Sequence, residues 1–288
     1  PKIFSGEGLL KNPIGPDGKP LRYQNIIIGD ATSGNIDPSG LTVAKGLTDA
    51  VTLKSRGSVG GTGAITGVDK LNIEAGSVNL TNENNKIGSI GTAKTTNGFT
   101  LTTAGGVTLD GPIEAGGPVN ITNKTSGNVT IGAQGKISTT NNSPVYITAE
   151  NGNLKNKSTD PNPISTPGSN FAISTKDSVG NDEGTLSLHI DFHRYGTPSG
   201  TTSVAGYTGS GFFYVVQPTV HIYSERPYGD SNDQFFKPDN TTYKFETLRV
   251  NNESAADKAT RDAHDAAALN ALETRIKANA SGTTAWNA

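Results

Sequence analysis

The residues best placed to do chemistry are the run His189-Ile190-Asp191-Phe192-His193. In a strand, His189, Asp191 and His193 would share one face, and two imidazoles with a carboxylate form a facial set that suits zinc, nickel or copper. Neighbouring same-face positions lie ~6.5–7 Å apart, which is wide for shared coordination. The preferred reading therefore buries Leu188, Ile190 and Phe192 and leaves the three polar side chains in water. They stand as the metal candidates of this sequence, and no catalytic residue and no cofactor is assigned.

Two further sets of acids were weighed. Glu74 and Glu114 could form a glycosidase pair, but they occupy equivalent places in an internal repeat. If the repeat stacks, they stand two rungs, or ~9.6 Å, apart, the outer limit for an inverting mechanism. Asp230, Asn232, Asp233 and Asp239 offer oxygen ligands for Ca²⁺, without the spacing of an EF-hand and in a stretch that reads as a turn. The sequence contains no phosphate-binding loop, dinucleotide fingerprint or nucleophile elbow. Nine Asn-x-Ser/Thr triplets, among them Asn79, Asn120, Asn123 and Asn156, are acceptable glycosylation sequences. Regular outward threonines can bind ice or a polysaccharide, but they are also simply good strand formers, which is the reading preferred.

These residues must be positioned by a particular kind of β structure. Apolar–polar–apolar triplets recur: Leu41-Thr42-Val43, Val51-Thr52-Leu53, Leu71-Asn72-Ile73, Val78-Asn79-Leu80, Phe99-Thr100-Leu101, Val107-Thr108-Leu109, Val119-Asn120-Ile121, Val129-Thr130-Ile131 and Val145-Tyr146-Ile147. This is the period of a strand with one buried face. The phrase Ile73-Glu74-Ala75-Gly76-Ser77-Val78-Asn79-Leu80 returns as Ile113-Glu114-Ala115-Gly116-Gly117-Pro118-Val119-Asn120-Ile121, an offset of two turns of about 20 residues. Strands this short hold only when stacked on a coil above and below. The expected fold is therefore all-β, a right-handed parallel β-helix, with Ile73, Leu80, Leu101, Leu109, Ile113, Ile121, Ile131 and Ile147 pointing inward.

Composition agrees. Hydrophobic residues make up 32% of the 288, Gly numbers 36, and the net charge is −2. A thin solenoid core accounts for the low hydrophobicity, and the charge balance gives no footprint for nucleic acid. Cysteine is absent, which removes thiolate chemistry and Cys-based zinc sites. No apolar run is long enough to span a bilayer as a helix. Pro1 in place of Met reads as the start of a processed or trimmed piece.

Three divisions follow. Residues 1–170 are expected to form the parallel β-helix with a lead-in segment, ending in the proline-rich stretch 157–168. Residues 171–250 read as an aromatic-rich β module or cap with longer strands: four aromatics precede position 171, but twelve lie from Phe192 to Phe245. Residues 251–288 read as an Ala-rich helix, Glu253 to Ala278, and a flexible tail. Its stripe of Ala255, Ala259, Ala263, Ala266, Leu269, Leu272 and Ile276 needs a covering partner, either this chain or a neighbouring molecule.

The phrases Ala104-Gly105-Gly106-Val107-Thr108-Leu109 and Gly127-Asn128-Val129-Thr130-Ile131 resemble the coils of filamentous haemagglutinin and high-molecular-weight adhesins, the exoproteins of two-partner secretion, over residues 40–175. Gly211-Phe212-Phe213-Tyr214, Gln217-Pro218-Thr219-Val220 and Tyr228-Gly229-Asp230-Ser231-Asn232 resemble the junction into an MBG-type module, although Asp233 stands where that phrase continues with proline. The family's amino-terminal secretion phrase is not matched by Asn12-Pro13-Ile14-Gly15. The resemblance implies a middle or carboxy-terminal segment of a secreted, bacterial cell-surface adhesin without catalysis. It also implies an outer-membrane transporter during export and a host or bacterial surface glycan or protein as partner. The alternatives are a structural rod or filament subunit that self-associates through the C-terminal helix, and a β-helix enzyme that degrades polysaccharide.

Overall fold

The computed structural model describes residues 14–216, with the short segments 9–10, 223–224 and 245–246 and position 270. Residues 1–217 and 218–288 form two units. In the second, Tyr223–Ser224 pairs antiparallel with Phe245–Glu246. The expected helix 253–278 lies outside the described residues except for Asn270, whose backbone is helical.

The first unit is a β-solenoid of about 9 turns built from parallel sheets. A ten-stranded sheet runs from Tyr23–Gly29 through Thr48–Lys54, Val68–Ala75 and Ile87–Thr95. It continues as two half-strands per coil, such as Val107–Leu109 and Pro112–Ala115. An eight-stranded sheet closes the other side, through Ser77–Leu80, Phe99–Thr103, Val119–Asn123, Val145–Ala149 and Phe171–Thr175. Each strand pairs with its equivalent one coil away, so the backbone bonds of one coil are completed by its neighbours.

The repeat predicted this register. Ile73 stands beside Ala93 and Ala93 beside Ile113, steps of twenty residues, and all eight side chains expected to point inward are buried. Later coils lengthen to steps of 26 residues, Val119 to Val145 to Phe171. The core is a set of columns running along the axis, among them Leu80, Leu101, Ile121, Ile147, Ile173 and Phe212. Where a strand leaves the core, a buried threonine bonds the carbonyl two residues on and holds the corner: Thr95 to Asn97 and Thr103 to Gly105, both at 2.8 Å, and Thr175 to Asp177 at 3.1 Å.

The boundary expected at residue 170 falls inside the eight-stranded sheet, because Phe171–Thr175 pairs in full register with Val145–Ala149. The prolines of 157–168 widen a corner instead of ending the coil, and Ile164–Ser165 still pairs with the strand Lys136–Thr139. A proline forfeits its N–H but keeps its carbonyl. Ile137 N–H donates to Pro163 O at 2.8 Å, as Phe99 N–H does to Pro118 O at 2.9 Å.

The order of strands changes at the carboxy-terminal end of the sheet. Gly211–Tyr214 lies between Phe171–Thr175 and Phe192–Tyr195, although it follows both in sequence. The chain steps one rung too far, then returns through residues 196–210 across the outer face to fill the gap. Gly200 N–H donates to Ser174 Oγ at 2.9 Å, and Thr197 N–H to Tyr214 O at 3.0 Å, fixing this crossing segment.

Candidate functional site

The outer faces of the two sheets differ in chemistry. On the ten-stranded sheet one column reads Lys54, Glu74, Lys94, Glu114, alternating in sign at every rung. Lys54 Nζ lies 2.9 Å from Glu74 Oε2. Opposite charges on adjacent rungs attract, whereas like charges there would repel. The two glutamates are therefore two rungs apart with a lysine between them, as elements of a surface ladder. On the same face Thr52 Oγ1 donates to Asn25 Oδ1 at 2.9 Å, and Asn72 Oδ1 accepts from Thr92 N–H at 3.0 Å. The amides of this face are engaged by their neighbours.

The outer face of the eight-stranded sheet carries no charge from Ser58 to Phe213. Its central column is Asn79, Thr100, Asn120 and Tyr146, each in register with the next. Thr122 stands beside Asn120 on the same face. None of these five side chains has a hydrogen-bond partner among the described residues. From the next rung on, the crossing segment 196–210 covers the sheet.

The three metal candidates are not brought together. Gly184–His189 is a 3-10 helix rather than the start of a strand, and extended pairing begins only at Phe192. His189 Nε2 lies 2.8 Å from Pro161 O, Asp191 Oδ2 accepts from Ser210 N–H at 2.7 Å, and His193 Nε2 lies 2.8 Å from Glu183 Oε1. Among the described residues no three His, Asp, Glu or Cys groups converge to hold a metal. The facing expected for the run holds in part: His189, Asp191 and His193 are exposed and Ile190 packs against the core, but Leu188 is 79% exposed and His193 stands next to Phe212 at the end of an inward column. Among the described residues Phe192–Tyr195 is the last strand of the sheet, so His193 closes this column.

His189 and Asp191 do line one open groove of about 470 Å³, with Asn162, Ser165, Thr166 and Ser210. The contacts above occupy one ring nitrogen of His189 and one oxygen of Asp191. Asp230, Asn232, Asp233 and Asp239 lie outside the described residues. Of the glycosylation triplets, Asn123 and Asn156 are buried, and their amides donate at 2.7 Å to Gly127 O and at 2.8 Å to Glu183 O. Neither is accessible to an attached sugar.

The end of the core is a polar cluster that sequence reading missed. Glu183 Oε1 accepts from Tyr214 Oη at 3.3 Å as well as facing His193, whose ring stacks on Phe212 and Tyr214. Burial, then the Glu183 charge, raise the Tyr214 pKa far above that of a free phenol. The folded chain thus holds this proton more tightly than the unfolded chain. The resulting stability is fully present below the unfolded value, about 10, and is lost as pH rises beyond it. The urea midpoint is expected to fall above about pH 10, and the fall to be shallower in Tyr214→Phe. Equal slopes in the two proteins would contradict this.

No family model, no curated protein and no solved structure matches this chain.

Proposed function

We propose that the chain is a segment of a secreted, bacterial cell-surface exoprotein of the filamentous haemagglutinin type that mediates attachment, or cell–cell and matrix contact, without catalysis. The observation that supports this reading best is the uncharged outer face of the eight-stranded sheet, where unbonded amide and hydroxyl side chains repeat from coil to coil. Such a surface offers many weak, identical contacts, which suits adhesion through multivalency. The coils then wind with the right hand that parallel crossovers take in nearly all proteins. Residues 192–214 cap the solenoid, and export uses an outer-membrane transporter of the two-partner type.

Beads coated with the purified chain are expected to be retained on monolayers of epithelial cells or on bacterial lawns above albumin-coated beads. Retention at the albumin level on every surface would overturn the reading. A filament subunit is the second reading. It is favoured by the strand Tyr23–Gly29, where Ile27 is 60% exposed on a seven-residue edge that pairs with no other strand among the described residues, an edge of the kind that invites strand addition. Sedimentation of the same preparations tests it. Concentration-dependent assembly abolished by Ile27→Lys supports it, and a monomer at all concentrations refutes it.

A further inference from the structure

We infer that the outer face of the eight-stranded sheet is a binding surface for a neutral, extended polysaccharide, centred on Asn79, Thr100, Asn120, Thr122 and Tyr146. This rests on the attachment reading and gives it a face and a ligand class.

Four observations carry it. The first is charge. The strands of this face carry none from Ser58–Gly60 to Gly211–Tyr214, charge entering only at its margins as Arg194 on the last strand and the paired Lys124 and Glu150, while the other sheet concentrates its lysines and glutamates into ladders. An anionic glycan would need lysine or arginine, and a charged protein partner would need complementary charge. The second is hydrogen-bonding state. Asn25, Thr52 and Asn72 on the charged sheet are bonded to one another or to neighbouring backbone, whereas the five side chains of the neutral face have no partner among the described residues. Amides donate and accept, and so do hydroxyls, which matches the mixed hydroxyl groups of a sugar. A protein partner, by contrast, would be anchored on buried aromatic or aliphatic side chains, and this face offers one half-exposed ring.

The third observation is geometry. In-register parallel pairing sets Asn79, Thr100, Asn120 and Tyr146 in line, one step of ~4.8 Å per rung. That step is comparable to the length of one sugar residue in an extended glycan, so a single chain lying along the axis meets a polar side chain at each unit. The fourth is a boundary. The segment 196–210 stands on Ser174, and Gly200 lies over Thr148, on the same strand as Tyr146. Tyr146 therefore sits at the foot of a wall, where its ring can stack on the apolar face of a sugar ring while the column of amides and hydroxyls bonds the units that follow.

The test is affinity electrophoresis of the full chain in gels containing laminarin, hydroxyethyl cellulose or dextran as neutral probes, and heparin or polygalacturonate as anionic ones. At least one neutral polysaccharide should retard the protein, and added salt should leave the retardation unchanged, because no ion pair is involved. Tyr146→Ala and Asn120→Lys should each weaken it about tenfold, while Lys94→Gln on the charged sheet leaves it intact. All three positions are on the surface, and equal thermal midpoints confirm that the variants fold. Retardation by the anionic probes alone, or by a neutral probe without loss in Tyr146→Ala and Asn120→Lys, overturns the assignment. Bead retention on cells with no retardation by any polysaccharide also overturns it and leaves the attachment reading standing. If both assays are negative, both readings fall.

Discussion

Gly116→Val is expected to lower the stability of the solenoid by about 3 kcal/mol or more, with Gly116→Ala close behind. The reason is a close approach between coils. A Cβ at Gly116 would sit 2.0 Å from the Thr96 carbonyl oxygen of the preceding coil, and at the equivalent Gly76 it would sit 2.8 Å from the carbonyls of Arg56 and Gly57. Neither glycine is needed for a left-handed backbone, since neither has a positive φ. Both are needed because Gly116 N–H donates to Thr95 O at 3.0 Å and Gly76 N–H to Gly57 O at 2.6 Å, which draws the corners of successive coils together. A side chain there must push two backbones apart and break the rung bonds on either side. Gly105, in a similar-looking phrase, has open space around its missing Cβ, so Gly105→Ala should stay within about 0.5 kcal/mol of the parent. The comparison is read from urea midpoints followed by far-UV circular dichroism. If the two alanine variants unfold together near the parent midpoint, the corner is softer than its geometry implies.

This glycine was visible in the sequence as part of a repeat, though its reason was not. The period-2 triplets revealed the inward residues because burial in a strand is a local property that alternation reports directly. The 40-residue offset gave the register, since Glu74 and Glu114 occupy equivalent rungs. The coil between them was harder to see, because Lys94-Thr95-Thr96 shares no letters with Glu74-Ala75-Gly76 although it lies beside it. The charge alternation that pairs the coils is what hides their similarity. The prolines of 157–168 and the run His189 to His193 mark where local pattern stops being enough: the first is a loop, but one within a coil, and the second becomes extended only at Phe192, because non-local pairing sets both. Whether a proline interrupts a ladder depends on whether its position is one where the ladder needs an N–H donor or only the carbonyl it keeps. Whether His193 faces in or out depends on Gly211–Tyr214 inserting beneath it, and no spacing in the sequence announces that return.

Asn85→Leu is expected to cost the protein about 3–5 kcal/mol, more than most single aliphatic truncations in this thin core. Asn85 closes the phrase Asn82-Glu83-Asn84-Asn85, whose residue types favour turns. In the fold its side chain is 1% exposed and joins three coils. Its Oδ1 accepts from Ile65 N–H at 2.8 Å in the coil below, and its Nδ2 donates to Leu80 O at 3.2 Å in its own coil and to Thr102 O at 3.0 Å in the coil above. One amide thus satisfies an N–H and two carbonyls that the local break in the ladder would otherwise leave buried and unpaired. Leucine has the same branched outline but is bulkier, so the substitution removes the hydrogen bonds and crowds the corner, and each orphaned group costs about 1–3 kcal/mol. Asn85→Asp separates two contributions: a carboxylate keeps the acceptor for Ile65 N–H but faces the two carbonyls with oxygen, so it should destabilise at neutral pH and recover in part as acid protonates it. Amide hydrogen exchange locates the damage, with Ile65 N–H losing protection in Asn85→Leu before the distant Ile147 does. A leucine variant as stable as the parent, with Ile65 still protected, would mean that water reaches this corner and the asparagine is only a turn residue after all.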